Sequence, residues 1–372
     1  MPESETKLIT PQPRELVRRI KEYHPPLGDR SGVRLDFNEN TFACSPKVLE
    51  ALGRVSSAEL TMYPEREHVE RIAAQHLGIK PAQTLLTNGV DEAIHILCEA
   101  YLDAGDEMLL PVPTFSMYEV YASATEARLI PVPSIQVQSD ESFRFPLELL
   151  LRKITLATKL IAIANPNSPT GQAAARADIL KIVEAAPHAM VLIDEAYFHF
   201  YGQTVMDLVG RVPNVIVART FSKVYGLAGL RVGLLAGDES AMTWLRRVIS
   251  PYSVNALALT CLPAALEDQA YVDWYVKEVL SSREELYTAL TRLGVKFWPS
   301  EANFVLTKIG PKHKAFSTAM HNRGVLVRDR SSDPGCDGCV RITVGTREHT
   351  AAGIQAMEAS LAEIGWTPDE AQ

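Results

Sequence analysis

Seven short apolar runs, each closed by turn residues, constrain this chain more than any other feature of its sequence. They fall at 84–86, 107–111, 127–131, 160–164, 190–193, 215–218 and 232–236. Helical patterns lie between most of them, for example at 91–102, 116–123, 147–151 and 176–185. Strands alternating with helices over short connections predict an α/β fold: a doubly wound, mostly parallel seven-stranded sheet flanked by helices. Such sheets bind ligands at the carboxyl ends of their strands, so the residues just after each run are the first candidates for function. Beyond about residue 250 the pattern changes. A long helical segment (268–293) precedes short strands near 295–297, 303–307, 325–328 and 340–344, and a last helix covers 348–364. That reads as a smaller α+β unit. Residues 1–30 are polar and Pro-rich, with one amphipathic stretch at Leu16, Val17 and Ile20, and read as an arm. The expected division is an arm over 1–32, a large domain over 33–255 and a small domain over 256–372.

Composition narrows the classes of function. The 372 residues are 47% apolar and 22% charged, which excludes disorder for most of the chain. With 37 basic against 45 acidic residues the net charge is −8, so no electrostatic footprint for nucleic acid or a membrane surface is present. No apolar run approaches the ~18 residues of a membrane span. The opening MPESETKLITPQPREL carries acids and prolines where a secretory leader needs basic and apolar stretches, so a cytoplasmic location is expected. Five cysteines do not make a disulfide framework. Cys336 and Cys339 form a CxxC, but no second CxxC or HxxxH pair completes a zinc shell, and a Gly-rich turn before a strand is the expected reading, with no metal.

The strand ends carry chemistry. The run 190–193 is followed by Asp194, Glu195, Ala196 and Tyr197. A carboxylate directly after four apolar residues is costly if buried alone and should face a cation or a strong donor. The run 160–164 ends in NPNSPTG, which sets amide side chains at a strand end. The run 215–218 ends in Arg-Thr-Phe-Ser-Lys, with Arg231 eight residues beyond Lys223. Thr87, Asn88 and Gly89 lead into a helix whose first N–H groups form an anion site. Pyridoxal 5′-phosphate needs this set: a lysine for a Schiff base, an acid to keep the pyridine nitrogen protonated and a cradle for phosphate.

Taken alone, each feature has an ordinary explanation. A lysine after a strand is commonly a solvated surface residue. A strand-ending Asp commonly caps the next helix, and a Pro-rich turn is commonly only a turn. The combination, in this order, is what carries the argument.

The chain resembles the fold-type I aminotransferases and, within them, the histidinol-phosphate aminotransferase branch. The matching segments are LDFNEN (35–40), YPE (63–65), NGVDE (88–92), PTFSMY (113–118), NPNSPTG (165–171), DEAYFHF (194–200), RTFSKVYGLAGLRVG (219–233), ANF (302–304) and VLVRDRSSDPGCDGCVRITVGT (325–346). They span about 310 residues, nearly the whole chain.

The resemblance implies a role for each matching position. Lys223 forms the Schiff base with the cofactor and shuttles the proton, and Asp194 pairs with the pyridine nitrogen. Tyr197 and Asn167 reach the ring's 3′ oxygen, and Phe115 stacks on the ring. Ser222, Arg231 and the backbone of Gly89, Val90 and Asp91 hold the phosphate. Tyr63 reaches that phosphate from a partner subunit, so a homodimer with shared sites is expected. Arg341 binds the anionic end of substrates, Arg328 joins it where the substrate is phosphorylated, and Tyr23 closes over the site. The activity implied is exchange of an amino group between histidinol phosphate and 2-oxoglutarate, giving imidazole-acetol phosphate and glutamate, a step of histidine biosynthesis. Alternatives are an aromatic or broad-range amino acid transaminase, a threonine-phosphate decarboxylase of the same fold, and a non-catalytic scaffold, against which Lys223 and Asp194 argue.

The chain departs from the family pattern at three positions. Val90 stands where Ser, Ala or Cys is usual, Ser168 where Asn is common, and Phe115 where many relatives carry Tyr.

Overall fold

A computed structural model describes residues 11–20, 22, 28–136 and 143–371. All seven expected runs form strands of one sheet, in the order Thr84–Thr87, Gly233–Gly237, Val215–Thr220, Met190–Asp194, Thr158–Ala164, Glu107–Val112, Arg128–Pro133. Gly233–Gly237 runs antiparallel to both neighbours, and the remaining pairs are parallel. Their runs are apolar almost throughout because helices cover both faces. Successive side chains alternate between two cores. Leu86, Leu109, Ile161, Ile163, Val191, Ile193, Val215 and Val217 pack into one. Leu85, Met108, Leu110, Leu160, Ala162, Leu192, Ile216 and Ala218 pack into the other. The period-two geometry of a strand requires this division.

A second sheet has the order Val33–Leu35, Val325–Asp329, Cys339–Thr343, Phe304–Lys308, Lys296–Trp298. Its pairs are antiparallel except the first, in which Val33 sits beside Val325. Residues 33–35, grouped with the large unit in the sequence reading, therefore belong to the small sheet. Gly32 makes this docking possible: at φ +98° it lies so close to Gly324 that a Cβ would fall 2.3 Å from the Gly324 oxygen. The Val33 N–H then donates to that oxygen at 2.8 Å. The long helix Gln269–Leu293 packs on the final helix Arg347–Glu363, which also contacts His313–Asn322 and the Val33–Leu35 strand.

Helices invisible to the strand-centred reading complete the fold. Ala256–Glu267, opened by Asn255 capping the Ala258 N–H at 2.9 Å, packs against Pro46–Gly53 and Glu67–Leu77. It thus lies with elements of the large unit, although its sequence position follows the expected boundary. Among the described residues, no helix is long and apolar enough to cross a membrane, and no group of three or more His, Cys, Asp or Glu residues is placed to hold a metal ion.

Candidate active site

Four strands of the large sheet end at one place and deliver the expected residues there. Asp194 closes the Met190–Asp194 strand and is buried. The Tyr118 hydroxyl donates to its Oδ2 at 2.6 Å and the Ala196 N–H to its Oδ1 at 3.0 Å. Burial pushes the carboxyl up to about 6, against these two donors. Its two hydrogen-bond donors are neutral, so a cationic partner is what this carboxylate lacks.

Lys223 follows the Val215–Thr220 strand and donates through Nζ to the Phe37 carbonyl at 2.9 Å. Nζ also lies 5.8 Å from the centre of the Tyr197 ring. The Tyr197 hydroxyl accepts from Asn38 Nδ2 at 2.9 Å, which leaves its own proton free to be given away. An edge-to-face contact with Phe304, centroids 5.1 Å apart, fixes the ring against the small sheet.

The anion cradle lies at the head of the helix Gly89–Tyr101. Gly89 has φ +73°, and a Cβ there would stand 2.7 Å from Arg231 Nη2. On the adjacent strand, a Cβ on Gly233 would meet the Gly89 carbonyl carbon at 2.9 Å and the Val90 nitrogen at 3.0 Å. Two missing side chains therefore let Arg231 reach the helix start, where its Nη2 donates to Asp91 Oδ2 at 2.8 Å. Arg231 itself is left-handed, at φ +52°. Ser222 is buried beside this turn, its N–H donating to Thr220 Oγ1 at 3.1 Å. Val90 turns its side chain into the apolar core and offers only its backbone.

At the opposite end, Arg341 is buried on the Cys339–Thr343 strand. Its hydrogen bonds go to uncharged oxygens, Ser168 Oγ at 2.9 Å and the Asp36 carbonyl at 2.7 Å. Burial lowers the guanidinium to about 10, with Arg330 and Arg328 adding to the effect. Arg328 stands directly opposite Arg341 in the antiparallel register, its Cζ 5.3 Å from the centre of the Phe37 ring.

Three expected residues stand differently. Asn167 has its amide engaged: Oδ1 accepts from Thr114 Oγ1 at 2.8 Å, and Nδ2 donates to the Pro113 carbonyl and Thr170 Oγ1, each at 2.9 Å. It ties two loops together with both amide protons in use. Phe115 is half-buried and meets Tyr118 edge-on, centroids 6.1 Å apart. Tyr63 is 78% exposed and stacks on Tyr252 at 4.4 Å, outside the site of its own chain. Tyr23 lies outside the described residues.

The sequence reading gave no role to residues 36–38, yet they touch nearly everything. Asp36 and Phe37 offer carbonyls to Arg341 and Lys223, and Asn38 holds Tyr197. Asn38 adopts φ +55°, a conformation Asn tolerates better than most residues. Tyr118, the partner of Asp194, ends the segment PTFSMY, which by itself points to no role for it. Its neighbour in space is 76 positions away in sequence, which no local pattern reveals.

The donor set fits pyridoxal 5′-phosphate: a carboxylate without a cation, an amine within reach of a phenol, and a cradle that a Cβ would fill. The fold is that of the fold-type I pyridoxal-phosphate aminotransferases. The chain belongs to the aminotransferase class I and II family, which matches residues 30–357. It is 35% identical to the histidinol-phosphate aminotransferase of Thermoanaerobacter pseudethanolicus, over 85% of this chain and 89% of the relative. It is 33% identical to that of Moorella thermoacetica, over 97% and 96%. The crystal structure of histidinol-phosphate aminotransferase from Sinorhizobium meliloti in complex with pyridoxal-5′-phosphate superimposes with a TM-score of 0.82. It covers 97% of this chain and 99% of that one, at 23% identity.

Proposed function

We propose that this chain is a pyridoxal-phosphate-dependent transaminase that exchanges the amino group between L-histidinol phosphate and 2-oxoglutarate, the transamination step of histidine biosynthesis. It works as a cytoplasmic homodimer. The observation that carries the substrate reading is the register of Arg328 against Arg341: two guanidinium groups on one face, one of them buried without a carboxylate hydrogen-bonded to it. A dianionic phosphate ester offsets such a pair better than a single carboxylate does. The relatives that carry this activity in their names cover most of the chain.

When bound, the cofactor supplies a carbonyl that takes up an amino group and a protonated ring that draws electron density from the substrate Cα. Asp194 keeps the ring nitrogen protonated, its charge held in place by Tyr118 and the Ala196 N–H. Tyr197 would donate a hydrogen bond to the ring's 3′ oxygen while Asn38 holds the phenol from behind. Arg231, Ser222 and the N–H groups of residues 89–91 would hold the phosphate, and Phe115 would pack against the ring. Lys223 Nζ leaves the Phe37 carbonyl, takes the proton from the substrate Cα and holds it for return. Asn167 acts by fixing the loop that presents Ser168 to Arg341.

Exposed apolar side chains support the dimer: Leu60 (62%) and Met62 (63%) stand beside Tyr63 (78%) in sequence, and Tyr63 stacks on Tyr252 (55%). In the dimer, Tyr63 of the partner subunit reaches the cofactor phosphate.

The test is kcat/KM of Arg328→Ala for histidinol phosphate and, separately, for glutamate. One lost charge-assisted contact lowers the first by about 10- to 150-fold. Equal loss for both substrates would shift the reading to an aromatic or broad-range amino acid transaminase.

A further inference from the structure

The strand that carries Arg328 does not stop contributing there. Arg330 continues the ladder, its N–H donating to the Cys339 carbonyl at 2.9 Å, in the register that sets Arg328 opposite Arg341. Residues two apart on a strand share a face. Arg328, Arg330 and Arg341 therefore lie on the same side of the small sheet. Phe304 and Thr343, a cross-strand pair, share that side and turn to Tyr197 and Asn38 of the cofactor end. Asp329, between them in sequence, points to the other face and pairs with His313 Nδ1 at 2.8 Å.

The Arg330 side chain is 12% exposed and ion-paired with Asp333, which is itself mostly buried. Asp36, the other carboxylate close to this end, is taken by Arg30 at 2.9 Å. Among the described residues, the buried Arg341 is hydrogen-bonded to no carboxylate and Arg330 is paired with Asp333 alone, so these two guanidinium groups bring more positive than negative charge into one place. Two donors remain without partners there, Nε of Arg341 and Nε of Arg330. Burial drives the Asp333 carboxyl up even with Arg330, Arg341 and Arg328 around it, while Arg330 and Arg328 both press on Arg341. A buried donor without an acceptor and an uncompensated buried charge are both costly, and both are relieved by one multivalent anion.

We propose that Arg330, held in place by Asp333, is a third guanidinium of the subsite for the substrate's anionic end and sets its preference for a phosphate dianion over a carboxylate. The inference rests on the transaminase reading above and adds a residue to its specificity machinery. Asp333 is a positioning residue: it holds one side of the Arg330 fork and leaves Nε for the ligand. Its carboxylate also balances part of the charge, so a lone carboxylate substrate gains less from the site than a dianion does.

The experiment uses the full-length holoenzyme. Arg330→Gln is compared with wild type on histidinol phosphate, on dephosphorylated histidinol and on glutamate. The expected loss is about 10-fold or more in kcat/KM for histidinol phosphate, with less than about threefold change for the other two. Equal loss on all three, or none on the phosphate ester, overturns the proposal and makes Arg330 a structural residue. Arg330→Lys keeps the charge without the fork and guards against misfolding. A smaller loss, again confined to the phosphate ester, supports the proposal, and an unselective loss overturns it. Failure of the parent reading looks different: wild type itself would then show no preference for histidinol phosphate over histidinol.

Discussion

The Tyr118 hydroxyl and the Asp194 carboxylate, 76 positions apart, meet at 2.6 Å beneath the site. With the Ala196 N–H this is all that offsets the burial of Asp194, whose pKa rises to about 6. An acid with a raised folded-state pKa stabilises the fold below its unfolded value of 3.8 and loses that contribution as pH climbs through about 6. The cofactor-free protein should therefore carry a penalty of order 3 kcal/mol from this group at pH 7.5. Thermal unfolding of cofactor-free Asp194→Asn should match or exceed wild type at pH 7.5. Its advantage should vanish near pH 4.

The same substitution should be severe for turnover. Asn keeps the shape but not the charge, so kcat should fall ~10³-fold, about 4 kcal/mol of transition-state stabilisation. A loss below about tenfold in kcat at saturating cofactor would reduce Asp194 to a turn-forming residue.

Lys223→Ala should abolish turnover and leave the fold intact. In the protein alone, Nζ makes one hydrogen bond, to the Phe37 carbonyl, worth about 1 kcal/mol. Sodium borohydride should fix the cofactor covalently to wild type and not to the variant, read by intact-protein mass spectrometry, while circular dichroism stays unchanged.

Gly89→Ala should weaken cofactor binding specifically. The added methyl would sit 2.7 Å from Arg231 Nη2 at a backbone φ of +73°. The left-handed conformation alone costs about 1–2 kcal/mol, and displacement of Arg231 removes a phosphate ligand besides. Cofactor titration should show at least about tenfold weaker binding, with kcat largely recovered at saturation.

If Tyr63 serves the neighbouring site, the chain should sediment at twice its own mass. Tyr63→Ala and Lys223→Ala chains should complement when mixed, because the hybrid dimer rebuilds one complete site. Mixed activity no greater than that of the better parent would place Tyr63 at a simple packing surface.

The sequence made the large sheet legible because its strands are apolar on both faces and end in polar turns. The runs at 190–193 and 215–218 are examples, with Asp194 and Lys223 just beyond them. Arg231 and Gly89 were legible for the same reason, as turn residues with a stated chemical need. Val33–Leu35 was not, because three residues at a sheet edge, only one of them buried, carry no periodic signal. Asn38 and Tyr118 were hidden because their roles come from partners more than 70 positions away. Arg330 was hidden by the alternation of its segment: in VRDR, charge on both faces of a strand looks like solvent exposure until the pairing shows which face is covered.

The stretch from Leu35 to Thr41 has a consequence for where this chain can be cut. It leaves the edge of the small sheet and, within three residues, supplies acceptors to Arg341 and Lys223 and a donor to Tyr197. Its far end is tied down as well, by Asn40 to the Val224 carbonyl and by the Thr41 N–H to Tyr275. Circular permutation with new termini here would leave every element of both sheets in place, yet release the strap that sets lysine, phenol and guanidinium at fixed spacing. Termini opened at the exposed turn around Leu156 would cut nothing that reaches the site. A segment without helix or strand is thus one whose continuity the chemistry requires.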